Sequence, residues 1–292
     1  MDRKSLLLTA VFWFCVFMPG AHAKYDTRYP LVLAHGMGAS AKIAGVMDYW
    51  GTIPAALERV GVEVYITSVN GMDSTEAKAI DFKNQVLEIL AASGADKVNI
   101  IGHSHGTLYS RYAISNLGLR DKVASHTSIA GPHQGSRLAD MIMNGVPGEL
   151  HGLVGGAINM VYALIMGDEN PDSLANGWDV TTDIVRNHFN PNTPNVDEIY
   201  YQSWAAKAKW GAPSVLMQVP WLIMLGLEGA NDGLVSVESA KWGNFRGIQQ
   251  AAWYSPGCDH LNIVGMFLGI TPGFNAPQFY KDIAADLKTR GL

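Results

Sequence analysis

Gly102-His103-Ser104-His105-Gly106 places a serine two residues from a glycine on either side. A serine hydroxyl is a weak nucleophile until a base takes its proton and its Oγ is presented to a substrate. A tight strand-to-helix turn presents it by holding the serine in a strained backbone conformation, and the glycines relieve the crowding this causes. The surroundings have that form: residues 98–101 (Val-Asn-Ile-Ile) read as a strand, and residues from 105 to about 116 suit a helix. Acyl transfer to such a serine also needs donors for the developing oxyanion. One is the backbone N–H of the next residue, His105, at a helix N-terminus. The other belongs to a loop after an earlier strand. Here Leu31-Val32-Leu33 runs into His35-Gly36-Met37-Gly38, which offers the amide of Met37.

The base for this serine is a histidine, in the chain order serine, acid, histidine. His126, His133, His151, His188 and His260 follow the turn. His126, inside a strand pattern, reads as a packed core residue. His133, in Gly131-Pro132-His133-Gln134-Gly135, reads as a loop hydrogen-bonder. His260 comes after the last expected strand, at 249–254, where the base belongs. The apolar run 214–227 is interrupted by Pro220, and its second half is compatible with a buried strand. It leads into Glu228-Gly229-Ala230-Asn231-Asp232-Gly233. Asp232 is the choice of acid, with Glu228 and Glu238 as alternatives, because Asn-Asp-Gly is also a common turn. His103 and His105 flank the serine and lack further ligands nearby, so they do not read as a metal site.

The frame around these residues is an α/β chain. The 292 residues are 48% hydrophobic and 16% charged, which suits an ordinary folded core and excludes a disordered chain. A net charge of −5 provides no basic face for nucleic acid. Two cysteines make neither a disulfide scaffold nor a zinc cluster. Residues 1–23 have a basic start, a 14-residue apolar run and Ala21-His22-Ala23, the pattern of a cleaved export signal. The run is too short to span a bilayer core of about 30 Å. A secreted or periplasmic protein is expected, with one domain over 24–292. Strand patterns at 31–33, 62–67, 98–101 and 123–129 alternate with helical ones, including 79–94 and a closing helix at 277–290. That alternation indicates a mostly parallel sheet covered on both faces. Residues 141–169 break the pattern. Leu153, Val154, Ile158, Val161 and Leu164 lie on an approximate helical stripe there, as a core helix or as a mobile apolar cover over the site.

The chain resembles the bacterial triacylglycerol lipases of the Pseudomonas, Burkholderia and Proteus type over most of residues 24–292. The match is carried by residues 29–37, by 97–106 and by Gly131-Pro132-His133-Gln134-Gly135-Ser136. It continues in Tyr200-Tyr201-x-Ser203-Trp204, Asn231-Asp232-Gly233-Leu234-Val235 and Asp259-His260-Leu261. The resemblance implies an α/β-hydrolase fold with Ser104, Asp232 and His260 as triad, which selects Asp232 over its neighbours. It also implies oxyanion amides on Met37 and His105, and a helical lid at 141–169. The expected substrate is then a lipid ester at an oil–water interface, with no cofactor.

The departures are as informative. Members of that group commonly hold a structural calcium, using one aspartate before a Pro-Ser and another two residues past the histidine. Here Ala212 precedes Pro213-Ser214, Asn262 occupies the second place, and Met266 replaces a supporting glutamine. Calcium needs several oxygen ligands, usually carboxylates among them, so no calcium is expected. The paired cysteines of some members are also missing, and Cys258 reads as a structural thiol. An esterase, a phospholipase or a polyester depolymerase would use the same triad. A non-catalytic lipid carrier would have lost a triad member, and none is lost.

Overall fold

The computed structural model describes residues 24–37, 42–43, 47–145, 171–266 and 270–292. Its central sheet is built from β1 (Leu31–Ala34), β2 (Val64–Ile66), β3 (Val98–His103), β4 (Val123–Ile129), β5 (Tyr200–Ala206) and β6 (Asn244–Gln249). All are parallel, in the spatial order β2-β1-β3-β4-β5-β6. The helices are α1 (Ile53–Glu58), α2 (Thr75–Ser93), α3 (Gly106–Asn116), α4 (Arg137–Met143), α5 (Pro171–Trp178), α6 (Gln218–Glu228) and α7 (Ala276–Thr289). Parallel strands need crossovers, and these bury both faces of the sheet. Leu31 and Leu33 of β1 pack with Ile53 and Leu57 of α1 and Tyr280 and Ile283 of α7 on one face. Val32 and Ala34 pack with Phe82 and Val86 of α2 and Tyr109 of α3 on the other. The period-2 alternation of a strand thus serves two cores at once.

β1 pairs with β2 on one side and β3 on the other. The order of strands reverses there, which opens a crevice at the carboxyl ends of β1 and β3. The turn after β1 and the serine turn after β3 meet in it. α2, which feeds β3, is sharply bounded: Ser74 Oγ accepts from the Ala77 N–H, and Gly94 ends it in the left-handed conformation at φ +70°.

Two expectations are corrected, and one strand was not foreseen. The second half of the apolar run 214–227 is not a strand but α6, with Pro220 in its first turn, where a missing N–H costs no helical bond. Asp232 therefore follows a helix. The last strand of the central sheet is β6 at Asn244–Gln249 rather than 249–254. It is an edge strand with little burial, so alternation is weak there, while the aromatics Trp253 and Tyr254 lie exposed beyond it. β5, which the apolar pattern does not single out, fills the slot between β4 and β6. Residues 1–23 lie outside the described residues. So does most of 141–169, including Leu153, Val154, Ile158, Val161 and Leu164. Among the described residues, no helix is long and apolar enough to cross a membrane.

Candidate active site

Ser104 sits at the junction of β3 and α3 with a φ of +55°, the left-handed conformation that a side chain adopts only at a cost. Its N–H donates to the Ile129 carbonyl at the end of β4 (3.0 Å), which pins the turn to the sheet. The flanking glycines answer to close backbone approach. A Cβ on Gly106 would lie 2.2 Å from the Ala34 carbonyl oxygen, and one on Gly102 would meet Gly106 and Thr107 backbone at 3.0 Å. A Cβ on Gly36 would come within 3.3 Å of Ser104 Oγ, so the turn after β1 passes directly beside the hydroxyl. Met37 follows in that turn, half-buried against Leu138 and Ile142 on one side and Leu108 on the other. Neither the Met37 nor the His105 N–H donates to another group among the described residues.

Asp232 and His260 are brought together 28 residues apart in sequence. His260 Nδ1 donates to Asp232 Oδ2 at 2.8 Å, and the His260 N–H donates to the Asp232 carbonyl at 2.9 Å. Asp232 Oδ1 accepts from the N–H groups of Leu234 (3.0 Å) and Val235 (2.8 Å). The turn Asn231-Asp232-Gly233 is thus what aims the carboxylate: one oxygen is spent on its own backbone and the other on the imidazole. Nδ1 being a donor leaves Nε2 as the basic nitrogen. Nε2 is buried and has no hydrogen bond among the described residues. The His260 ring packs on that of His103, the residue before the serine, with the centroids 4.5 Å apart.

Several supporting residues were not foreseen. Tyr49 Oη accepts from the Gly36 N–H (2.9 Å) and donates to His103 Nδ1 (2.5 Å), joining the loop beside the serine to the ring packed on His260. Nothing in the local sequence marks Tyr49. Lys78 has a sequence signal: it falls on the buried stripe of α2 between Thr75 and Phe82. Its Nζ donates to His105 Nδ1 (3.0 Å) and Asn176 Oδ1 (2.7 Å), which leaves the proton of the His105 ring on Nε2, facing Thr75 Oγ1 (2.7 Å). Burial pulls the Lys78 ammonium down to about 7 and holds His105 well below the ordinary histidine range. His126 and His133 are core hydrogen-bonders, on Ser110 (2.7 Å) and Ser128 (2.6 Å), as their positions suggested. Among the described residues, His260 pairs with Asp232, and Glu238 with Lys241.

The residues at the expected calcium position do not suit the ion. Ala212 is buried in the apolar core, and Asn262 offers an amide. The carboxylate at hand, Asp259, has both oxygens engaged by N–H groups of Ser214, Leu261 and Asn262. Cys258 is fully buried, and burial pushes its thiol up, so it is not a nucleophile at neutral pH.

The model of the alpha/beta hydrolase fold family matches residues 29–241. A triacylglycerol lipase of Vibrio cholerae serotype O1 is 34% identical, over 91% of this chain and 90% of its own. A triacylglycerol lipase of Pseudomonas fragi is 28% identical, over 91% and 98%. Among solved structures, the mature Bacillus licheniformis lipase aligns with a TM-score of 0.62 at 20% identity, covering 81% of this chain and 86% of that one. A metagenomic carboxyl esterase aligns at 0.66 and 17%, covering 90% and 76%. At those identities the structural likeness speaks for the fold alone.

Proposed function

Because the chain belongs to the α/β-hydrolase family and is a carboxylic ester hydrolase, we propose that it cleaves lipid esters, triacylglycerols first among them, through an acyl-enzyme on Ser104. What supports this reading is a serine at φ +55° whose preceding residue, His103, packs on a histidine with its Nδ1 fixed on a buried carboxylate. His260 Nε2 takes the Ser104 proton as Oγ attacks the ester carbonyl. Asp232 holds the tautomer and stabilises the imidazolium. The amides of Met37 and His105 receive the oxyanion. His260 returns the proton to the leaving alcohol. It then draws one from water as that water attacks the acyl-enzyme, releasing the acid and restoring the serine.

Two observations support lipid as substrate: relatives named triacylglycerol lipase, and exposed apolar side chains on the connections after β5 and β6. Trp210 is 74%, Val215 79%, Leu222 62% and Trp253 81% exposed. These connections leave the sheet at the same end as Ser104. In this reading residues 1–23 direct export.

The test is the initial rate against concentration of a short-chain triglyceride, carried through its solubility limit, with Ser104→Ala as blank. A sharp rise once droplets form supports a lipase. Saturation below the limit would assign an esterase for soluble substrates. A Ser104→Ala rate within a few-fold of wild type would overturn the nucleophile.

A further inference from the structure

The residue before the base carries a carboxylate that the proposed chemistry does not use. Asp259 is fully buried, and among the described residues no cation pairs with it. Its oxygens are instead saturated by N–H groups. Oδ1 accepts from the backbone of Leu261 (3.0 Å) and Asn262 (2.9 Å), and Oδ2 from the backbone of Ser214 (2.7 Å). In the amide orientation that satisfies its neighbours, Asn262 Nδ2 also donates to Oδ1 (2.7 Å) and Oδ2 (3.1 Å), while its oxygen accepts from Thr271 Oγ1 (3.1 Å). A buried charge held by neutral N–H donors with no paired cation is expensive to assemble and fixes the segments that supply them.

Those segments are the two that hold the acid and the base. Ser214 lies in the connection from β5 that continues through α6 to Asp232, whereas Leu261 and Asn262 form the turn directly after His260. Burial pushes the Asp259 carboxyl up, and the backbone donors pull it back down, which identifies them as partners of the ionised form. The residues at this place do not suit calcium.

We propose that Asp259 is a positioning residue that clips the Ser214 connection to the His260 turn and thereby aims His260 Nε2 at Ser104, doing with a carboxylate and N–H donors what a bound cation would otherwise do. This rests on His260 being the base. A misplacement of about 1 Å at a catalytic group costs up to about a hundredfold in rate, so the clip should appear in turnover rather than in substrate binding.

The experiment uses two variants of the full chain, Asp259→Asn and Ser214→Pro. The first keeps the shape and leaves only one acceptor oxygen. The second replaces the donor N–H by a ring carbon facing Asp259 Oδ2 and also removes the hydroxyl, at a backbone φ of −79° that proline accepts. We expect each to lower kcat about tenfold or more with KM within about twofold. Calcium and a chelator should leave wild-type kcat and Tm unchanged. Variants that keep more than half of wild-type kcat, or calcium that raises wild-type Tm, would overturn the clip. If Asp259→Asn does not fold, Ser214→Pro decides. A Ser104→Ala control that still turns over would instead place the failure in the triad.

Discussion

At the scale of single residues, the serine turn stores strain for a purpose. A non-glycine residue in the left-handed region costs about 1–2 kcal/mol, and Ser104 carries that cost to project its hydroxyl. Ser104→Gly should therefore be more stable than Ser104→Ala by about 1 kcal/mol in denaturant unfolding, with neither turning over ester. Equal midpoints would mean that the backbone relaxes without penalty. Gly106→Ala tests the opposite constraint. Its Cβ would stand 2.2 Å from one backbone carbonyl oxygen and 2.7 Å from another, neither the end of a flexible side chain. A loss of about 3 kcal/mol or more, or failure to fold, is expected.

At the scale of elements, helix α2 reaches under the serine turn through Lys78. Its ammonium joins α2, the start of α3 and α5 through His105 and Asn176. Burial lowers its folded value to about 7 from the ordinary 10.5. Between those values the unfolded chain binds more protons, so stability rises with pH across that window and is lost as pH falls towards 7. Compared with Lys78→Met, the wild-type chain should gain up to about 1.4 kcal/mol per pH unit there. Parallel stability curves for the two proteins from pH 7.5 to 9.5 would show that the amine is not held neutral.

For the molecule as a whole, a group of histidines is buried neutral. His35 is pulled down to about 4 and His126 to about 3 by burial, and His103, His105 and His133 lie well below the ordinary value of 6.5 for the same cause. Unfolded, each takes a proton below 6.5; folded, each resists it. The stability they contribute is whole above that value and is lost as pH falls towards the folded values. Each contributes about 1.4 kcal/mol per pH unit well inside its window, so His35 and His126 together give nearly 3 near pH 5. Urea unfolding at pH 7, 5.5 and 4.5 should show this decline, and a flat profile would contradict it.

The sequence by itself determined the local chemistry. Gly102-x-Ser104-x-Gly106 between an apolar strand and a helix singles out the proposed nucleophile, because the strained turn and the glycines it needs are consecutive in the chain. The strand at 123–129 and the stop at Gly94 were equally legible, since periodicity and capping act over a few residues. Asp232 and His260 were legible in order but not in choice, as Asn-Asp-Gly serves a plain turn equally well. The nature of the 218–228 segment and the place of β6 were decided by which slots the sheet leaves open, and an apolar run does not encode that. Tyr49, Lys78 and Asp259 act through partners that fold from distant parts of the chain, 54 residues away for Tyr49 and His103. Only the tertiary structure brings such groups within hydrogen-bonding distance, because burial, and not residue type, makes a tyrosine, a lysine or an aspartate a fixed part of the site.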